Sequence, residues 1–282
     1  MADMTDMNAI VDAHFHVIAA PQQWPMRAER SYTPPPAPLS AWRETLAPEG
    51  VTHGVVVQPS VYGTDNRVLL AALAEGAGRL VGVAAVAADV SDAELDRLVA
   101  AGVRGVRMAH FTAGDPRALG GFVPWRDTFD ALEPRLHARG LHLQLFTDAR
   151  LLPALADRLA DARVPVVIDH MGRTPASLGT DHDGLRTLAA LLRDAPVWVK
   201  LSGIANLSDD APLHEDARRV HEVLVAAAPH RLVWGSDWPH TRPAAVAPCT
   251  RALLALARRW TPVEHQDAIF RGNAARLYGL GP

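Results

Sequence analysis

The sequence predicts an α/β chain closed into a (β/α)8 TIM barrel, and three observations carry that expectation. Eight apolar runs of strand length recur, at 10–16, 54–58, 80–86, 105–108, 141–145, 165–168, 197–201 and 232–234. Between most of them lie alanine- and leucine-rich stretches of helical period, such as 67–76, 92–101, 125–139, 150–162 and 183–193. Polar residues with useful chemistry gather at the C-terminal end of almost every run, where such barrels carry their active sites. Near-continuous apolar strands alternating with helices indicate a parallel sheet covered on its outer face. An open, doubly wound sheet is the alternative. No internal repeat, linker or low-complexity tract divides the chain, so residues 1–282 are expected to form one domain, with its active site at the strand ends.

Taken in order, the first run reads Val11-Asp12-Ala13-His14-Phe15-His16. Positions i and i+2 of a strand share a face, so His14 and His16 point the same way. The second run ends in Gln58-Pro59-Ser60 and the fourth in Arg107 and His110. The fifth ends in Gln144 and Asp148, the sixth in Asp169-His170, the seventh in Ser202-Gly203 and the eighth in Asp237 and His240. In the fourth run Val103, Gly105 and Arg107 share one face, which sends Arg104 to the helix side as a structural residue.

Two segments break the alternation. The proline-rich loop 19–40, with Arg27, Arg30, Tyr32 and Pro34-Pro35-Pro36, has the length and stiffness of a lid over the barrel mouth. The competing reading is a surface excursion covering a strand edge. The glycine-rich segment 109–123 is expected to be a mobile loop.

Composition narrows the function classes. A hydrophobic content of 49% allows a large core, and a formal net charge of −3 gives no basic footprint for nucleic acid. The lone cysteine, Cys249, excludes an internal disulfide and fits a reducing cytoplasm. Residues 1–10 lack the pattern of a secretory leader, and no run is apolar for long enough to span a membrane. Lys200 is the only lysine, and arginine supplies the remaining basic side chains.

With these residues in view, the chain resembles a known family. Asp-x-His-x-His on the first run, Ile168-Asp169-His170-Met171-Gly172 on the sixth and Gly235-Ser236-Asp237-Trp238-Pro239-His240 on the eighth are similar to motifs of the amidohydrolase superfamily. The closer likeness is to its lactonase branch, typified by 2-pyrone-4,6-dicarboxylate lactonase. Arg30-Ser31-Tyr32-Thr33-Pro34, Val57-Gln58-Pro59-Ser60, Gly63-Thr64-Asp65-Asn66, Arg104-Gly105-Val106-Arg107 and Asn273-Ala274-Ala275-Arg276-Leu277-Tyr278 agree with that branch. The likeness runs from about Ile10 to Tyr278.

The resemblance implies a hydrolase that opens a small anionic lactone. Asp237 would activate water, and His14, His16 and His170 would polarise the carbonyl directly or hold one divalent metal, zinc first, together with Asp237. Ester hydrolysis needs a base near neutral pH and positive charge or donors at the developing oxyanion, which these residue types supply. A substrate anion would meet Arg107, with Arg173, Arg27 and Arg30 behind it. Tyr32, Ser60, Gln144 and His240 complete the candidate binding set, and Asp12 is expected to brace the first strand.

Departures from the superfamily pattern matter as much. No lysine ends the fourth run, and His142 begins the fifth at the wrong end for a second metal, so a binuclear centre is not expected. Asn206 stands where dicarboxylate-binding members resemble one another in an arginine, and Phe146 where the dicarboxylate enzyme has a tyrosine. At least one carboxylate clamp is therefore lost. No nucleotide cofactor, nucleic-acid partner or membrane contact is expected, and the chain is expected to act as a monomer or homodimer.

Two other functions compete: metal-dependent decarboxylation of an aromatic or muconate-like acid, and a barrel retained only to bind a ligand. The simplest alternatives for the site residues are buried core histidines at His14, His16 and His170, a turn-capping Asp237 and a structural His240. His53, His137, His214, His221, His230 and His265 are expected to be solvated.

Overall fold

The computed structural model describes residues 9–112, 120–125, 128–241 and 249–280. Eight parallel strands occur in chain order around one sheet. They are β1 Ile10–Phe15, β2 Val51–Val57, β3 Leu80–Ala84, β4 Val103–Ala109, β5 His142–Phe146, β6 Val166–Ile168, β7 Val197–Leu201 and β8 Leu232–Trp234. All eight expected runs are strands, with ends shifted by up to three residues. Helices α1 Leu39–Leu46, α2 Arg67–Glu75, α3 Asp92–Ala100, α4 Phe129–His137, α5 Ala156–Ala160, α6 Asp183–Asp194, α7 Glu215–Ala227 and α8 Thr250–Trp260 alternate with the strands. The expected helix at 150–162 is mostly a 3-10 segment, Ala149–Leu155, leading into α5. Pro153 lies inside it and has no N–H for an α-helical bond.

The apolar character of the strands follows from burial on both faces. Outward residues pack under the helices, as where Phe15 stacks on Trp42 of α1 with ring centroids 4.2 Å apart. The barrel interior is uneven. Val11, Ala13, Val55, Val57, Val81, Val83 and Val233 form an apolar cluster from β1, β2, β3 and β8. Arg107, His142, Gln144 and Lys200, from β4, β5 and β7, are buried polar groups. The chain's last helices, α9 Val263–Asp267 and α10 Asn273–Tyr278, close the opposite end from the site. There Tyr278 joins the valine cluster and packs edge-on to His142, with centroids 5.2 Å apart. Gly105 makes room for that imidazole, since a Cβ on it would come within 2.3 Å of the ring.

Ring closure between β8 and β1 sets up the site. β8 is short, and the pairing continues through its tail: Asp237 N donates to His14 O at 2.8 Å and His16 N donates to Trp238 O at 2.8 Å. Closure thus carries Asp237 onto the histidine strand. Asp12 locks the same seam, accepting from Ser236 N at 2.8 Å, Ser236 Oγ at 2.6 Å, Trp42 Nε1 at 2.9 Å and His14 N at 3.1 Å. The register of β1 shifts between Asp12 and Phe15, and the seam hydrogen bonds keep Asp12 facing Trp42 while His14 faces the barrel. Gly235 allows the close approach, because a Cβ there would lie 2.7 Å from His14 Cβ.

The loop after β1 is pinned at both ends by a two-way bridge, Ile18 N to Ala37 O at 2.9 Å and Ala37 N to Ile18 O at 2.8 Å. Its middle folds back on the β2 loop, with Arg27 N donating to Val61 O and Ala19 N to the Tyr62 hydroxyl. Of the segment expected to be a mobile loop, residues 113–119 lie outside the described residues. Among the described residues no helix is long and apolar enough to cross a membrane.

Two histidines depart from the expectation of solvation. His214 is buried, and His221 on α7 is fully buried. There its Nε2–H donates to Thr261 Oγ1 at 2.9 Å, whose hydroxyl donates to Ala257 O. The apolar face of α7 against α8 accounts for it. Burial lowers His221 to about 4. The fold favours its neutral form, so the stabilisation is full above the unfolded value near 6.5 and is lost as pH falls toward 4. The loss amounts to about 3 kcal/mol from this group. His221→Gln is expected to remove that part of the acid sensitivity in urea melts run between pH 7 and 4. A stability difference between variant and parent that does not change with pH would show that His221 plays no such part.

Candidate active site

Four side chains from three places in the chain meet at the C-terminal mouth. His14 and His16 come from the end of β1, His170 from the turn after β6, and Asp237 from the turn after β8. Asp237 Oδ1 lies 3.8 Å from His14 Nε2, 3.8 Å from His16 Nε2 and 3.7 Å from His170 Nε2. All four residues are buried. His170, Met171, Asp237 and His240 adopt left-handed φ angles of 52°, 52°, 60° and 62°. Strain of this kind persists where surrounding structure over-determines it, and it clusters at functional sites.

Each imidazole is held from behind. His16 Nδ1 bonds Val57 O at 2.8 Å and His170 Nδ1 bonds Ser202 Oγ at 2.8 Å. His14 Nδ1 lies 3.2 Å from Asp169 Oδ1. A carbonyl can only accept, so His16 carries its proton on Nδ1 and turns the Nε2 lone pair inward. Burial keeps the three rings neutral: it lowers His16 and His170 to about 3 and His14 well below its ordinary value. Burial acts the other way on Asp237, raising it to about 7 against the pull of Arg107. Asn206 Nδ2 donates to Asp237 Oδ2 at 3.2 Å. Asn206, which stands where the family likeness puts an anion-binding arginine, thus holds the carboxylate.

Below this mouth lies a charged tier whose pairing sequence reasoning did not foresee. Arg107 Nε donates to Asp169 Oδ2 at 3.0 Å, both side chains being buried. Lys200 is 0% exposed, and its ammonium donates to Ala13 O at 2.8 Å and Gln144 Oε1 at 2.7 Å. It also stands 3.4 Å from His14 Nδ1 and 3.9 Å from Asp169 Oδ1. Burial would raise Asp169, but Arg107, His14 and Lys200 hold it well below the usual carboxylate range. Burial lowers Lys200 to about 7, with Asp169 opposing. The signal for Lys200 was in the sequence, a lone lysine inside an apolar run, where an unpaired charge is not tolerated.

The candidate binding residues divide. Arg107 lies over Phe146 at 5.0 Å and Phe122 at 5.5 Å, and Arg173 over Phe146 at 5.2 Å. Phe146 also packs edge-on to His170, so arginines, phenylalanines and imidazoles share one wall. Tyr32, from the 19–40 loop, lies near Ser60 and Thr241, within the fields of Arg107 and Asp237. Gln144 is fully buried, and its carbonyl accepts from Lys200 at 2.7 Å. The His240 ring turns to Thr250, bonding Oγ1 at 2.8 Å. Arg30 is bonded within its own loop, to Thr33 Oγ1 and Arg27 O, and Arg27 is about half exposed. Arg104 bonds the carbonyls of Val103 and Val99 on the helix side.

The donor set suits one divalent ion. His14 Nε2 and His16 Nε2 stand 3.3 Å apart, close to the roughly 3.3 Å edge of a tetrahedron with zinc–nitrogen bonds of about 2.0–2.1 Å. Outer partners on every Nδ1 are the usual support for metal-binding imidazoles. Among the described residues two overlapping groups could hold an ion, His14, His16 and Asp237 or His14, Asp169 and His170. Asp169 is already engaged by Arg107, which favours the first, with His170 beside it.

A parallel (β/α)8 barrel whose strand ends present three imidazoles to one carboxylate defines a class, the histidine- and aspartate-centred barrel enzymes. The chain belongs to the amidohydrolase family, whose model matches residues 11–280. It is 32% identical to the 4-sulfomuconolactone hydrolase of Hydrogenophaga intermedia, over 95% of this chain and 88% of that one. It is 34% identical to the 2-pyrone-4,6-dicarboxylate hydrolase of Comamonas testosteroni, over 95% and 89%. A solved apo structure from Agrobacterium tumefaciens matches with a TM-score of 0.86 at 25% identity, covering 97% of this chain and 96% of the other.

Proposed function

We infer that this chain is a cytoplasmic lactonase that opens a small anionic lactone by hydrolysis. One observation carries the reading: a single carboxylate oxygen faces three imidazole nitrogens at 3.7–3.8 Å in a buried pocket. Asp237, near neutral in its proton affinity, takes a proton from water as the oxygen attacks the lactone carbonyl. The ring C–O bond then breaks, and the departing oxygen takes the proton back from Asp237. Asn206 holds the carboxylate in place through both stages. His14, His16, His170 and Asp237 would hold a divalent ion, zinc first, whose contribution when bound is Lewis-acid polarisation of the carbonyl.

Arg107 and Arg173 would take the substrate's anionic group, and the phenylalanines beside them would take the flat face of its ring. The 19–40 loop acts as a lid, with Tyr32 as its contact to the pocket. The names of the two relatives favour lactones over the acids that a decarboxylase would consume.

The test is a panel of pyrone dicarboxylates, carboxylated or sulfonated muconolactones and neutral aldonolactones. Each is followed before chelation, after chelation and after zinc return. Ring opening of an anionic member is the expected result, with uncharged lactones poorer. Release of carbon dioxide from an aromatic or muconate-like acid, with no lactone opened under any metal condition, would replace the reading with decarboxylation.

A further inference from the structure

Apolar side chains of β1, β2 and β3 fill one part of the barrel interior, whereas β4, β5 and β7 bring charged and polar groups into the other. A buried ion network is seldom a net gain in stability over well-packed apolar groups. Its geometry points upward. Asp169 Oδ2 is occupied by Arg107 Nε, leaving Oδ1 as a buried carboxylate oxygen in need of a proton donor. His14 Nδ1 stands 3.2 Å from it, closer than Lys200 Nζ at 3.9 Å. Lys200 gives hydrogen bonds to Ala13 O and Gln144 Oε1 and stands 3.4 Å from His14 Nδ1, so the lysine and the carboxylate compete for that ring nitrogen, with the carboxylate at the shorter distance.

The tautomer of His14 decides what the mouth can do. With the proton on Nδ1, Nε2 offers a lone pair beside the lone pair of His16 Nε2, 3.3 Å away, and the two together suit a cation. With the proton on Nε2, His14 would donate to His16 and the pair would close on itself.

We propose that Asp169 is a positioning residue: pinned by Arg107 and Lys200, it accepts the His14 Nδ1 proton and so aims the His14 Nε2 lone pair at the reacting centre. Arg107 then has two tasks. One side of its guanidinium fixes Asp169, and the rest faces the aromatic wall where the substrate anion would sit. This rests on the site reading above and adds the group that sets its electronic state.

Histidine-labelled protein as purified tests it, since long-range 1H–15N spectra read each ring's tautomer and His14→Gln assigns the signal. His14 is expected to carry its proton on Nδ1 in the parent. Asp169→Asn is expected to move part of the population to Nε2–H and to weaken zinc binding by roughly 10–100-fold, the scale for loss of a ligand's outer partner. It should lower kcat on a lactone substrate while leaving KM for the anion within about a factor of two, since Arg107 stays. An Nε2–H signal for His14 in the parent overturns the proposal without any variant. So does an Asp169→Asn or Lys200→Met protein that melts earlier yet keeps the parent's tautomer and zinc affinity. The spectrum needs no substrate. A protein that opens no lactone would therefore sink the functional reading and leave this one standing.

Discussion

Asp237→Asn is expected to fold as the parent does and to turn over its lactone at least roughly 10²-fold more slowly, the scale of losing a general base. The fold should survive for three reasons. Asparagine has the same shape, and its amide oxygen can still accept from Asn206 Nδ2. Asparagine also tolerates the left-handed φ of 60° that the turn after β8 requires. Finally, burial disfavours the charged form of Asp237, so removing the charge does not cost stability and the melting temperature should hold or rise. What disappears is the proton acceptor facing the three imidazoles. The loss belongs in kcat, since Arg107, the expected anion partner, is untouched. Full turnover by the asparagine protein would remove Asp237 from the role of base, whatever metal it held.

The alternation of apolar runs and helical stretches made the barrel legible, because a strand buried on both faces must read as apolar and a covering helix must repeat at its own period. His14 and His16 were legible for a local reason, a two-residue spacing at a strand end. Placing His170 and Asp237 beside them needed the barrel's closure. That closure lies in backbone bonds from Asp237 N to His14 O and His16 N to Trp238 O, which no side-chain pattern records. The charged tier was missed because its pairing is long-range: Arg107 meets Asp169 across 62 residues and Lys200 meets Gln144 across 56. The same long-range pairing hid the role of Gln144 in the middle of β5, whose carbonyl accepts from Lys200. His221 was read as solvated because one histidine on an amphipathic helix does not say which side of the apolar boundary it falls on. In the fold it lies against Thr261 and Trp260.

Arg107→Ala is expected to damage more than the KM that its place at the mouth suggests. Its guanidinium, 6% exposed, is one of the two cations that hold Asp169. Taking one partner from a buried pair costs about 3–5 kcal/mol, because the other charge is left uncompensated. Lys200 at 3.9 Å from Asp169 remains, so the lower end of that range is expected. KM for an anionic lactone should rise at least roughly tenfold, as a charge-assisted bidentate partner is lost from both ground and transition states. kcat should fall as well, because Asp169 then holds His14 less firmly. Arg104 supplies the control one turn of the pleat away. Among the described residues its side chain bonds only the carbonyls of Val103 and Val99, at 3.1 and 3.4 Å, so Arg104→Ala should cost about 1 kcal/mol or less and leave KM alone. The double variant Arg107→Ala/Asp169→Asn separates Arg107's two tasks. With no carboxylate left to strand, it should recover stability relative to Arg107→Ala while its KM stays high. If stability does not recover, the Arg107–Asp169 pair is not what the alanine broke. Equal KM effects from Arg104→Ala and Arg107→Ala would show that the substrate's charge is met elsewhere.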